Sequence, residues 1–109
     1  KQPAGYIMCE KVLYFNVQPK IVRSSGPVTT DTLCNSVEII NVGPDLVTVN
    51  QIPLNPPAVG EVLGDSWTFG GNRLEVFKGR IDVAFATLVA PQIVVLQKTY
   101  LPENIKEIL

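Results

Sequence analysis

The fold is decided by residues 37–54, which read VEIINVGPDLVTVNQIPL. Three short runs of mostly branched aliphatic residues are interrupted twice by turn residues, first Gly43-Pro44-Asp45 and then Asn50-Gln51. Branched side chains favour strands, whereas Gly, Pro, Asp and Asn favour turns. No helix of normal length fits between the two breaks. The stretch therefore predicts an antiparallel meander, with Asn50-Gln51 in a two-residue hairpin turn.

The same alternation of strand runs and turns continues on both sides of this stretch. It predicts about nine strands, at residues 6–17, 20–23, 32–41, 46–49, 52–54, 65–69, 74–77, 81–88 and 92–101. Short strands at this spacing are typical of sandwiches and barrels. Because Cys9 and Cys34 both precede Trp67, the immunoglobulin pattern does not fit. We expect an all-β domain over residues 1–101, a single antiparallel β-sandwich that is jelly-roll-like.

Residues 102–109, PENIKEIL, differ from everything before them. A proline at the start and Ile105, Ile108 and Leu109 at positions i, i+3 and i+4 predict one or two turns of amphipathic helix. A helix this short is unstable alone, so we expect a docking tail. It packs either on its own domain or on a partner, and both interpretations stay open.

Composition excludes several classes of function. The 109 residues are 46% hydrophobic and carry nine basic and ten acidic residues, for a net charge of −1. The basic residues are dispersed, so we expect no nucleic-acid partner. The longest apolar runs are only a few residues, so we expect no insertion into a membrane, and no signal-peptide pattern remains.

The two cysteines, Cys9 and Cys34, have two interpretations. They form a disulfide between early strands, or they are buried thiols that act as small apolar side chains. Because the chain has no histidine, they cannot complete a zinc site from nitrogen and sulfur ligands. We expect no metal and no cofactor.

Catalysis is not expected either. Without histidine, neither a Ser-His-Asp nor a Cys-His arrangement can form within this chain. Carboxylate catalysis needs two convergent acids. The candidate carboxylates are isolated in sequence and are interpreted as solvated surface positions: Glu38, Asp45, Glu61, Asp65, Glu75 and Asp82.

A ligand or partner surface is predicted near Trp67 and in the Pro- and Gly-rich connection of residues 55–64, with Pro56, Pro57 and Val59 as candidate contacts. Exposed aromatic and apolar side chains of this kind bind peptides or carbohydrates. The alternative is that the aromatic residues are core and half-buried cross-strand pairs.

Three motifs resemble a known pattern: IINVG at 39–43, VTVNQIPLNP at 47–56 and SWTFGGN at 66–72. They are similar to turns in small β-sandwich virion proteins of tailed phages, such as capsid decoration, head-fibre and neck components. The resemblance implies a non-enzymatic structural protein that works through surfaces, by self-association or on a larger scaffold, located in the virion. The alternative is a secreted or cell-surface ligand-binding β-sandwich domain with a disulfide between Cys9 and Cys34.

Overall fold

The computed structural model of the protein describes residues 14–30 and 32–101. Within them the chain is all-β, with no helix. Its eight strands are β1 (Phe15–Val22), β2 (Gly26–Thr29), β3 (Cys34–Asn41), β4 (Val47–Val49), β5 (Ile52–Leu54), β6 (Ser66–Gly70), β7 (Arg80–Phe85) and β8 (Ile93–Tyr100). The predicted segment 6–13, Cys9 and the tail 102–109 lie outside the described residues.

The strands form two antiparallel four-stranded sheets. Sheet A has the order β1-β8-β3-β6, and sheet B has the order β2-β7-β4-β5. The pairing is nested, because β1 pairs with β8, β2 with β7, β3 with β6 and β4 with β5. Two further ladders, β3 with β8 and β4 with β7, join these pairs into sheets.

The two sheets pack face to face around one apolar core. Along β3, Val37 and Ile39 are fully buried while Ser36 and Glu38 point outward, as the alternation of residues 32–41 predicts. From the other sheet, Val47 and Val49 meet them. The buried apolar cluster draws on both sheets and consists of Val28, Cys34, Val37, Ile39, Val47, Val49, Leu54, Ile81, Val83, Ile93 and Val95. The all-β sandwich architecture predicted from the sequence is therefore confirmed.

The hairpin between β4 and β5 turns at the residues expected from the sequence. Asn50 and Gln51 have φ values of 48° and 70°, so both central residues are left-handed, as a primed turn requires. Asn50 also fixes the hairpin to β7. Its N–H donates to the Asp82 carbonyl at 2.9 Å, and its Oδ1 accepts from the Asp82 N–H at 2.8 Å.

The predicted break at Gln18-Pro19 is wrong, because β1 runs through Pro19 without interruption. Pro19 pairs with Leu96 of β8, and no other described strand lies beside β1. A residue without an N–H is tolerated in a strand at the edge of a sheet. The segments predicted as separate strands, 6–17 and 20–23, therefore meet in one described strand.

The strand predicted at 74–77 is also wrong; these residues belong to the long connection 71–79. Leu74 has a φ of 69°, which no strand residue adopts. The connection is held instead by Asn35, the extra residue of a β-bulge in β3. Its side-chain amide donates to the carbonyls of Asn72 and Glu75, at 2.8 and 2.9 Å.

Candidate functional site

Three connections meet at one end of the sandwich. Residues 42–46 join β3 to β4, residues 55–65 join β5 to β6, and residues 86–92 join β7 to β8. The antiparallel register brings all three to the same end, and hydrogen bonds between them tie them together. We call these three segments the loop end.

The loop end carries exposed aliphatic side chains. Val59 is fully exposed, and Val62 and Val89 are each 81% exposed. Leu63 and Leu88 are exposed as well. Val59 stands at the tip of a turn that the Glu61 N–H closes on the Ala58 carbonyl at 2.9 Å. Five large exposed aliphatic side chains thus share one end of the sandwich, and apolar surface concentrated in one region is typical of interaction sites.

Asp45, which is 2% exposed, lies against residues 87–90 of the loop end. Its carboxylate accepts hydrogen bonds from the Thr87 hydroxyl and from the N–H groups of Val89 (3.0 Å) and Ala90 (2.8 Å). The interpretation of Asp45 as a solvated surface acid is therefore wrong. Local sequence does not reveal its burial, because its three donors lie more than forty residues further along the chain.

The hydrogen bonds also set the protonation of Asp45. The bond from the Thr87 hydroxyl holds the pKa of this carboxyl below its ordinary value. Burial opposes the shift, and the backbone N–H groups of Ala90 and Val89 add to it. Asp45 is therefore ionised at neutral pH, where it accepts hydrogen bonds and acts as a fixed anchor for residues 87–90.

Asn41 makes hydrogen bonds to the 42–46 connection, to the last residue of β5 and to the 55–65 connection. Its Nδ2 donates to the carbonyls of Asp45 and Leu54, each at 2.9 Å, and its Oδ1 accepts from the Gly43 N–H at 3.2 Å. Its own carbonyl accepts from the Gly64 N–H at 2.8 Å. Asn41 is fully buried, so one residue fixes both the 42–46 and the 55–65 connections.

Two glycines permit close backbone approaches in the loop end. A β-carbon on Gly43 would lie 2.5 Å from the Ala90 carbonyl oxygen and 2.9 Å from the Gln92 nitrogen. A β-carbon on Gly64 would collide with the backbone of Asn55 and Pro56. Because the obstacles are backbone atoms, neither can move aside cheaply. Gly43 thus lets residues 42–46 pack against 86–92, and Gly64 lets the two ends of the 55–65 connection pack against each other.

The loop end includes part of the predicted partner surface. Val59 lies at its most exposed point, and Pro56 and Pro57 are half-buried at its base. Trp67, which is 45% exposed, lies beyond it as the second residue of β6. Val62 and Leu63 lie in the predicted connection 55–64, although they are not among its candidate contacts. The exposed residues at 88–89 are missed because Leu88 is assigned to the predicted strand 81–88, whereas β7 ends at Phe85.

The predicted disulfide cannot be assessed from the described residues. Cys34 is fully buried, and its Sγ donates to the Ser36 carbonyl at 3.3 Å, but Cys9 is not described. The tail residues Ile105, Ile108 and Leu109 also lie outside the described part of the chain. The disulfide and the docking tail stay predictions.

The charges of the loop end are few and acidic. Residues 42–46, 55–65 and 86–92 contain no Lys or Arg, whereas Glu61 and Asp65 are exposed. In residues 14–30 and 32–101, no three His, Cys, Asp or Glu side chains come together as a metal site would require. Over the same residues, no helix is long and apolar enough to cross a membrane.

The fold and the loop end define a small antiparallel β-sandwich with an apolar, weakly acidic tip. No protein-family model, curated protein or solved structure matches this chain. The function of the chain must therefore be inferred from its own residues and their contacts.

Proposed function

We propose that this protein is a non-enzymatic structural module that docks onto a larger assembly through its loop end. The observation that carries the proposal is the set of exposed aliphatic side chains, Val59, Val62, Leu63, Leu88 and Val89, on a base locked by Asn41 and Asp45. A rigid apolar surface loses little conformational entropy on binding, which favours a stable complex.

The partner surface is expected to be protein. The exposed carboxylates of Glu61 and Asp65 disfavour contact with nucleic acid or with anionic lipid, since both repel negative charge. An apolar protein surface with neutral or basic residues at its rim complements the loop end.

The strand order supports a jelly roll as the finer description of the sandwich. When an antiparallel ribbon of strands is folded over itself, the first strand pairs with the eighth, the second with the seventh, and so on inward. The orders β1-β8-β3-β6 and β2-β7-β4-β5 have this nested form. Jelly rolls include viral capsid domains, lectins and cupins.

We further propose that the assembly is a phage virion, in which the protein is a capsid decoration, head-fibre or neck component. Support comes from the nested strand order, from the motif resemblance at residues 37–77 and from the apolar loop end. The expected location is the virion, and the expected partners are a protein scaffold and copies of the chain itself.

The test is whether the protein co-sediments with virus particles. Material from cells that naturally produce the protein is separated on a sucrose gradient, and the chain is detected with an antibody raised against the purified protein. We expect it in the fast-sedimenting particle fraction. Val59→Asp with Leu63→Asp is expected to move the folded protein to the light fractions, whereas Ala84→Lys, on the outer face of sheet B, leaves it with the particles. Wild-type protein found only in light fractions would contradict the proposal.

A further inference from the structure

The outer face of sheet A carries an apolar patch over β1, β8 and one end of β3. Strand register places Val17, Pro19 and Ile21 of β1 beside Lys98, Leu96 and Val94 of β8. Across β8 from them lie Ser36, Glu38 and Ile40 of β3. Val17 is 60% exposed and Ile21 is 51% exposed. Beyond β3, the outer positions of β6 are Ser66, Thr68 and Gly70, so the apolar residues are concentrated on β1, β8 and one end of β3. Six of the nine positions on those three strands are apolar, although an antiparallel sheet normally presents polar residues on its solvent side.

The outer face of sheet B provides the contrast. Its register positions are Pro27, Thr29, Thr48, Pro53, Arg80, Asp82 and Ala84, and Arg80 forms an exposed ion pair with Asp82 at 3.0 Å. Three of these seven positions, Pro27, Pro53 and Ala84, are apolar, but none of the seven carries a large aliphatic side chain. The two outer faces of one sandwich therefore differ in chemistry, and sheet A has the face suited to burial.

We propose that the outer face of sheet A binds the same face of a second copy of this chain, in a two-fold dimer. The inference deepens and rests on the proposed assembly function, because it names one contact through which copies associate. Sheets pack well face to face because side chains of two pleated surfaces interdigitate.

The area available fits a dimer of modest affinity. Three strands of eight residues and one of five, about 4.8 Å apart at about 3.3 Å per residue, present roughly 460 Å² on each copy. Two copies bury at most roughly 900 Å², which is in the range of weak, reversible contacts. A short peptide would cover less of this face than a second copy does.

The charges of the face also fit a second copy. Its register positions carry one acid, Glu38, and one base, Lys98, so the face as a whole is neutral and does not repel its own copy. The two residues lie one strand and two positions apart, about 8 Å at ideal sheet spacing. In the single chain the Lys98 Nζ lies over the Phe15 ring, 4.1 Å from its centroid. A two-fold axis in the plane of the interface, perpendicular to the line between the backbone positions of Lys98 and Glu38, exchanges those positions, so in the dimer Lys98 would leave Phe15 to meet Glu38 of the other copy.

The same axis brings the apolar positions together. It passes beside Leu96, which therefore meets Leu96 of the second copy, and it places Val17 opposite Ile40 and Val94. The strands of the two copies then cross at a steep angle, as in orthogonal sheet packing. One symmetry operation thus pairs the two charged positions and five of the six apolar positions; Ile21 lies beyond the edge of the second copy's face.

The experiment is sedimentation velocity and light scattering of the full chain over a concentration series. We expect a reversible dimer of the 11.9 kDa chain with a dissociation constant on the order of micromolar. Val17→Lys and Leu96→Lys are each expected to raise that constant at least about tenfold. Val17 is largely exposed at the sheet edge, so its variant keeps the test valid even if Leu96→Lys folds poorly. Ala84→Lys is the matched control and leaves the dimer intact.

A charge-reversal pair identifies the interface directly. Glu38→Lys and Lys98→Glu are each expected to weaken the dimer, and the double variant is expected to restore it, because opposite charges again face each other across the axis. A wild-type monomer at high concentration would overturn the proposal. So would a dimer that resists Val17→Lys but is lost on Ile108→Asp, which would assign the contact to residues 102–109. If the protein does not form the dimer but still sediments with particles, this inference fails and the proposed function stands.

Discussion

Replacing Asn41 with alanine tests how much the loop end depends on one buried side chain. The change removes the donors to the carbonyls of Asp45 and Leu54, whereas the Gly43 N–H keeps its second acceptor, the Gln92 carbonyl at 3.1 Å. Asp45 and Leu54 are buried, so water does not readily replace the lost donors. Each buried polar group left unsatisfied costs about 1–3 kcal/mol. Two carbonyls at about 2 kcal/mol each are expected to lower the free energy of unfolding by about 4 kcal/mol.

The measurement is urea unfolding followed by circular dichroism. If the unfolding free energy falls by about 1.5 kcal/mol for each molar of urea, the expected loss of stability lowers the midpoint urea concentration by about 2.5 M. Asn16→Ala is the matched control, because Asn16 is exposed on β1, and its variant is expected to change stability by less than about 0.5 kcal/mol. A loss below about 1 kcal/mol for Asn41→Ala would refute the role assigned to this side chain.

Three other residues allow single contacts or turns to be tested. The pKa of Asp45 is lowered in the folded state, so its stabilising effect is complete above the unfolded-state pKa and is lost as the pH falls through the folded-state value. Asp45→Asn is therefore expected to reduce the loss of unfolding free energy at acid pH, measured by urea unfolding between about pH 2 and 7. Gln51→Gly relieves a left-handed φ of 70° and is expected to stabilise the protein by about 0.5–1 kcal/mol, seen as a rise of a few degrees in Tm, whereas a lower Tm would contradict the strain. Gly43→Ala is expected to destabilise by at least about 2 kcal/mol, because its methyl group would meet the Ala90 carbonyl and the Gln92 nitrogen; a calorimetric Tm equal to that of the wild type would exclude the close approach.

Much of the fold could be predicted because short-range sequence patterns determine it. The alternation in residues 32–41 identifies which side chains of β3 are buried, since a strand repeats every two residues. The primed turn at Asn50-Gln51 also follows from neighbouring residues alone. Residues 93–96 are apolar at every position, and the strand they begin is indeed central in its sheet, between β1 and β3.

The failures occur where partners distant in sequence decide the outcome. Residues 74–77 have strand-forming composition, but Asn35 holds their connection in another conformation. Pro19 signals a break, yet the position of β1 at the edge of the described sheet makes its missing N–H harmless. Edge position and bulge partners are properties of the completed sheet, so a local pattern does not contain them.

The candidate site was predicted only in part for the same reason. Val59, Pro56 and Pro57 could be proposed because they lie in a Pro- and Gly-rich connection. The exposed residues at 88–89 and the buried Asp45 could not, since their environment is created when three separate connections meet. Whether an aspartate lies in water or beneath a loop depends on donors that are remote along the chain.

The nested pairing of the strands has a consequence for how the chain folds. Among the nested pairs, β4 and β5 are neighbours across a short turn, while each successive pair closes a longer loop, up to Phe15 with Tyr100. Closing long loops early costs more entropy, so we expect the β4–β5 hairpin to form first and pairing to proceed outward from it. We expect β1, which pairs with one described strand, β8, to join last. Its amide hydrogens are therefore expected to exchange with solvent faster than those of β3, which places a labile edge strand within the surface that the dimer would bury.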